Sequence, residues 1–312
     1  MNPNLESYLT KAHAVIAGEG VPAPGGRMPA SNTALHIIPA TDRRTPLQTL
    51  EPDGAPPQVH VGVDLGTAYT VLVVLDAHFE PLAGAFRFAQ VVRDGLVVDF
   101  HGAIHLLQEL KHQVEKRLGF ELVSAATAFP PGVPPSEVRA TQHVVRAAGF
   151  ECEQVIDEPT AANALLQVKD GAVVDVGGGT TGIAVFRDGK VVYTADEPTG
   201  GTHFSLVIAG ALNMEFEDAE NYKKNTANQQ RLYPIVRPVM EKVGAIVARH
   251  VAAHKVSAIY LVGGTACFPG IDRVAEEVTG IRTAIPGYPL FVTPLGTAMY
   301  NTAEIKEVRY GR

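Results

Sequence analysis

The chain has 312 residues, 46% hydrophobic and 19% charged, and its 33 acidic against 26 basic residues give a formal net charge of −7. That length accommodates two packed domains or a bilobed body, and the acidic balance argues against a general nucleic-acid or anionic-membrane surface. Cys152 and Cys267 stand far apart in apolar segments and read as reduced core thiols, not as a disulfide or metal framework. No run reaches the ~18 uncharged apolar residues of a membrane helix, and the N-terminus lacks the basic and apolar regions of a secretory leader. The expectation is a cytoplasmic protein with no transmembrane segment.

Leu5, Tyr8, Leu9, Ala12, Val15 and Ile16 predict an amphipathic helix over residues 4–17. It either packs on the body or stands off it as a docking helix. From Gly18 to Pro57 come eight prolines among glycines and small residues, the composition of a linker. Val59–Val63 and Thr70–Leu75 read as strands flanking a glycine turn, Ile104–Leu118 as a helix, and Ala125–Ala128 as a short strand stopped by Pro130-Pro131-Gly132. A helix over Pro135–Ala148 follows. Ala172–Val176 and Thr181–Phe186 form a second hairpin, and Arg187–Lys190 turns into a third strand, Val191–Ala195. A long helix over Ile235–His254 leads to a strand, Ser257–Val262. Strands alternating with helices predict a mixed α/β fold, and the strand, glycine turn, strand pattern occurs twice, as in a duplicated core.

Both turns carry the same chemistry. In Gly62-Val63-Asp64-Leu65-Gly66-Thr67 a buried strand delivers a carboxylate and then a turn whose backbone amides can approach an anion. Asp175-Val176-Gly177-Gly178-Gly179-Thr180-Thr181 repeats it. Turn amides and the hydroxyls of Thr67, Thr180 and Thr181 suit phosphate, whereas a carboxylate suits hydrated Mg²⁺. A third glycine element, Leu261–Ala266, ends a strand, so its backbone can pass beneath a flat base. Ile156–Ala162 places acids before a helix with Pro159 in its first turn.

In that order the segments resemble the actin-like ATPase superfamily, which includes DnaK-type chaperones, MreB, FtsA and sugar kinases. Gly62–Thr67 and Val173–Thr181 are similar to its two phosphate motifs, Ile156–Ala162 and Pro294–Ala298 to its connecting motifs, and Leu261–Ile271 to its adenosine motif. Gly200–Phe204 and Ala219–Lys223 add two further matches. The resemblance implies an actin-like ATPase fold of two lobes with duplicated ribonuclease-H-like cores and no separate peptide-binding domain. The expected division is helix and linker over 1–57, first lobe 58–170, second lobe 171–303 and tail 304–312. ATP and Mg²⁺ are the implied ligands: Asp64 and Asp175 toward the metal through water, Glu158 toward the attacking water, and Gly66, Thr67, Gly177, Gly178, Gly179, Thr180 and Thr181 toward phosphates. Gly200 and Gly201 follow the second motif, Glu220 and Lys223 approach ribose and base, and Gly263 and Gly264 lie beneath them.

A closer resemblance is to the EutJ family of chaperone-like proteins of ethanolamine utilisation. It rests on Val91–Gly95, Ala128–Gly132, Asp157–Ala161, Asp175–Ala184 and Met240–His250. It implies nucleotide-dependent lobe closure and partners among the enzymes or shell proteins of a bacterial microcompartment, with a homo-oligomer left open. Two departures from the DnaK pattern point to slow hydrolysis: Gly182 stands where those chaperones carry an acid, and neither Lys111 nor Lys116 is assignable as their catalytic lysine. A pseudo-ATPase scaffold, a filament-forming protein of the MreB or FtsA kind and a metabolite kinase are the alternatives. His101, His105, Glu109 and His112 read as a solvated helix face, and Arg43-Arg44 and Lys223-Lys224 as surface charge.

Overall fold

The apolar stripe at the N-terminus forms α1 (Pro3–Ala17), and valines at every second position, Val59, Val61 and Val63, mark β1 (Val59–Leu65). The computed structural model describes residues 3–17, 57–93 and 95–301; nearly all of the expected linker, the C-terminal tail and Arg43-Arg44 lie outside them. β1 pairs antiparallel with β2 (Tyr69–Asp76), and β2 with β3 (Pro81–Phe88). A short ribbon of β4 (Val92–Arg93) and β5 (Leu96–Val97) leads to α2 (Phe100–Leu118), whose N-terminus is capped by Asp99 accepting from the Gly102 amide. β6 (Ala126–Phe129), α3 (Pro135–Ala147) and β7 (Val155–Asp157) then extend the sheet in parallel, in the order β3-β2-β1-β6-β7. α4 (Glu158–Leu166) leaves that sheet for the second.

The second sheet repeats the first. β8 (Gly171–Val176), β9 (Thr181–Arg187) and β10 (Lys190–Glu197) form the antiparallel meander. After α5 (Gly201–Leu212), α6 (Phe216–Lys224) and α7 (Thr226–Val251), β11 (Ile259–Val262) joins in parallel; α8 (Ile271–Thr279) and β12 (Thr283–Ala284) follow, in the order β10-β9-β8-β11-β12. Every residue of β8 is buried, as expected of a central strand covered on both faces. α9 (Val292–Met299) completes the order.

Two elements differ from expectation for identifiable reasons. α7 begins nine residues before Ile235, and it carries Pro234 and Pro238 inside it. Both prolines are exposed and four apart, so the carbonyls they leave without donors lie on the solvent side, where water replaces the lost bonds. β3 was not anticipated because Pro81 and Gly84 interrupt its pattern; a Cβ on Gly84 would lie 2.8 Å from Ile16 Cγ1, so this glycine admits α1 to the sheet.

α1 is packed on the body. Leu9, Ala12 and Ile16 are buried, Tyr8 donates to the Phe79 carbonyl at 2.7 Å, Lys11 pairs with Glu80, and Arg117 of α2 donates to the Val15 carbonyl at 2.8 Å. Glu6 accepts from the Gly287 amide at 3.1 Å, and His13 stacks on Tyr288 with ring centroids 4.0 Å apart. Between the two sheets α4 crosses α9, and an apolar cluster from β2, β8, β9 and both helices fills the joint. The crossing is tight because Gly296 lies against the Ala161 carbonyl and Gly62 against the Pro294 carbonyl and Ala298 amide, with no room for a Cβ.

Candidate functional site

The two glycine turns are built alike and meet at the mouth of the cleft. Each is closed by one backbone bond, Gly66 N–H to Tyr69 O and Gly177 N–H to Thr180 O, both at 3.0 Å. A Cβ on Gly178 would lie 2.9 Å from Ala68 Cβ and 3.0 Å from Ala68 N, so the turns touch there. The second turn is anchored from behind. Gly201 N–H donates to Gly177 O at 3.0 Å, Thr202 N–H to Gly178 O at 2.7 Å, and Thr265 Oγ1 to Gly177 O at 2.6 Å. Because a trans peptide directs its N–H opposite its C=O, tying these carbonyls to α5 turns the amides of Gly178 and Gly179 away from it, an anion-binding arrangement.

A narrow cavity of about 60 Å³ lies behind the turns, lined by Asp64, Gly66, Thr67, Glu158, Asp175, Gly177–Thr180, Gly263, Gly264 and Thr293. Its acids come from the ends of β1 and β8 and the start of α4, where Asp157 caps the helix by accepting from Thr160 N–H at 3.0 Å. Burial and then the neighbouring Asp175 raise Asp64 to about 7. Burial raises Asp175 to about 6 against a lowering bond from Thr293, and burial followed by Asp175 and Asp64 holds Glu158 well above the carboxylate range. Like charges crowded out of water resist ionisation together. Among the described residues no three His, Cys, Asp or Glu side chains converge as direct ligands. The acids therefore fit a hydrated divalent cation, met through its water, better than a dehydrated one.

Beyond the turns a cavity of about 430 Å³ opens between α5, α6, β3 and the Gly264–Phe268 segment. Glu220 is its organising group. Ser205 Oγ donates to Glu220 Oε2 at 2.5 Å and Lys223 Nζ at 2.6 Å, while Lys223 also reaches the Gly201 carbonyl at 2.9 Å. Burial pushes Glu220 up, but Lys223 and Lys224 outweigh it and hold the carboxyl below its ordinary value. Tyr69, Phe88, Phe216 and Phe268 supply flat apolar walls.

The structure gathers most of the anticipated residues around these two cavities, with corrections. Thr181 is fully buried and donates to the Thr199 carbonyl at 2.6 Å, so its hydroxyl is spent inside the sheet. Gly200 lines neither cavity and packs on the Gly177 and Gly178 carbonyls. Gly263 lies against Asp175, and only Gly264 reaches the larger cavity. Lys224 is not surface charge: it is 5% exposed, 3.4 Å from Glu220, with its ammonium over Phe88. Lys111 pairs with Glu115 at 2.7 Å beneath Phe150 and lines neither cavity. His105 is exposed and lies 3.4 Å from Glu109, which also pairs with Arg87. Thr293, Lys224, Ser205 and Phe88 were not foreseen, since a lone Thr, Ser or Phe carries no motif; the lysine pair beside Glu220 was the one signal available.

The family model for cell division protein FtsA matches residues 172–304, and the model for MreB/Mbl protein matches residues 83–219. Ethanolamine utilization protein EutJ of Salmonella typhimurium is 40% identical over 270 residues, covering 86% of this chain and 95% of that protein. A crystal structure of EutJ from Carboxydothermus hydrogenoformans superposes with a TM-score of 0.79 at 43% identity, over 95% of this chain and 98% of that one. MreB5 of Spiroplasma citri bound to AMPPNP superposes at 0.63 with 16% identity, over 78% of this chain and 96% of that one. The fold is the actin-like ATPase fold, mixed α/β with two repeated sheets, and no separate peptide-binding domain is present among the described residues. No helix among them is long and apolar enough to cross a membrane.

Proposed function

The chain belongs to the EutJ family of ethanolamine utilisation proteins, and from that premise we propose that it is an ATP-binding, chaperone-like factor of a bacterial microcompartment pathway. Its partners are the pathway's enzymes or shell proteins, which it helps fold, reactivate or load. The observation that supports this reading most is the meeting of two equivalent glycine turns in front of three crowded acids. The Gly178 and Gly179 amides and the Thr67 and Thr180 hydroxyls take the phosphates, and Glu220 and Lys223 take the ribose and base. Asp64 and Asp175 would hold hydrated Mg²⁺, and Glu158 would orient a water for attack. Bound Mg²⁺ supplies the positive charge that offsets the phosphates and acids alike.

Among the described residues, no lysine or arginine lines the phosphate-side cavity. Phosphoryl transfer depends on positioned cations, so hydrolysis is slow and binding is the stronger function. Nucleotide held by both turns favours the closed arrangement of the lobes, which turn about the α4–α9 crossing. Purified protein is expected to bind Mg·ATP and to change its protease fragmentation on doing so; neither effect appearing refutes the reading. A pseudo-ATPase scaffold is the second reading, favoured by the same cation-poor cavity. Equal turnover of wild type and Asp175→Ala selects it.

A further inference from the structure

α9 touches all three elements that carry the acids. Its Pro294 carbonyl and Ala298 amide bear on Gly62, two residues before Asp64; Gly296 bears on the Ala161 carbonyl, three residues after Glu158. Thr293, in its first turn, donates from Oγ1 to Asp175 Oδ2 at 2.5 Å, with Thr293 1% and Asp175 6% exposed. The other oxygen, Oδ1, lies over Gly263, where φ is +88° and a Cβ has no room. One carboxylate oxygen is thus held by a hydroxyl and the other rests on a glycine, which leaves the carboxylate plane little freedom.

We propose that Thr293 is a positioning residue for Asp175, presetting its carboxylate toward the hydrated metal ion that accompanies nucleotide and tying α9 to occupancy of the site. The inference rests on the nucleotide reading above. A threonine suits the task because β-branching restricts χ1 in a helix, so the hydroxyl is presented in few rotamers. The bond to a buried carboxylate is charge-assisted and stronger than a neutral one. α9 is further braced by Thr297 Oγ1 donating to the Thr293 carbonyl at 2.8 Å, so a shift of Asp175 is passed to the helix that packs on the other two acid-bearing elements.

The test is a titration of full-length protein with ATP, once with excess Mg²⁺ and once with EDTA, on wild type, Thr293→Val and Thr293→Ser. The proposal expects Thr293→Val to weaken Mg²⁺-dependent binding about tenfold while metal-free affinity stays within about twofold, and Thr293→Ser to retain most of the wild-type value. In an Asp175→Asn background, Thr293→Val is expected to add no further loss. Equal weakening with and without Mg²⁺, or an undiminished effect in the Asp175→Asn background, overturns it and makes the residue structural. Absence of ATP binding by wild type overturns the nucleotide reading and this proposal with it. Thermal midpoints establish that each variant is folded; should the valine variant fail to fold, Thr293→Ala against wild type, alone and in the Asp175→Asn background, carries the same comparison.

Discussion

The Lys224 ammonium stands 3.5 Å from the centroid of the Phe88 ring, joining the end of α6 on the second sheet's side of the cleft to the last residue of β3 on the first. The same ammonium lies 5.4 Å from the Tyr69 ring and 3.4 Å from Glu220. Burial holds its pKa down despite the Glu220 charge, so it is a desolvated cation, the condition under which a cation–π contact is worth about 2 kcal/mol. It ties the group that organises the larger cavity to the opposite lobe.

Phe88→Leu keeps an apolar side chain and removes the ring face. The expected outcome is a loss of about 1–2 kcal/mol in chemical unfolding, with faster amide exchange over Thr67–Tyr69 and unchanged exchange in α7. Uniform acceleration across both lobes counts against a local clasp.

The crowded acids set a pH dependence whose sign is fixed. Asp64 rises from its ordinary 3.8 to about 7 and Asp175 from 3.8 to about 6, so the folded state binds protons that the unfolded state has released. Their contribution to stability is complete below about pH 4 and is lost as pH climbs through 6 and 7. Ligand-free Asp64→Asn is therefore expected to gain thermal stability over wild type at pH 8 and to gain much less at pH 5. A gain independent of pH sinks this account.

α1 behaves as a structural element in this account. Leu9 is fully buried, and replacing a buried leucine with alanine costs about 2–5 kcal/mol. Leu9→Ala is expected to lower the melting midpoint accordingly, whereas Ser7→Ala on the exposed face of α1 leaves it nearly unchanged. If both variants melt as wild type, the helix contributes little to the body.

The architecture was legible because its determinants are local. Asp64-Leu65-Gly66-Thr67 and Asp175 through Thr181 are each a strand end plus a turn, and periodicity and glycine placement give both away. What escaped depends on contacts distant in sequence. Nothing near Thr293 announces Asp175, 118 residues earlier, and Lys224 reads as surface charge until β3 brings Phe88 over it. The same distance effect misassigned Thr181, whose hydroxyl finds the Thr199 carbonyl only once β9 and the turn before α5 are folded together.

Gly178 and Gly296 mark the two kinds of contact between the lobes, and an added methyl group separates them. At Gly178 it would press on Ala68, 2.9 Å from its Cβ, where the two glycine turns touch. At Gly296 it would strike the Ala161 carbonyl in the α4–α9 crossing, the pivot proposed above. The first contact can yield by opening the cleft, but the second can yield only by pulling α9 off α4 and loosening the packing around all three acids. Gly178→Ala is therefore expected to cost about 1 kcal/mol and Gly296→Ala about 3 kcal/mol, measured by chemical unfolding. Hydrogen exchange should quicken at Gly66–Ala68 in the first variant and along both α4 and α9 in the second. Equal costs and the same exchange pattern in the two variants are incompatible with a pivot at the helix crossing.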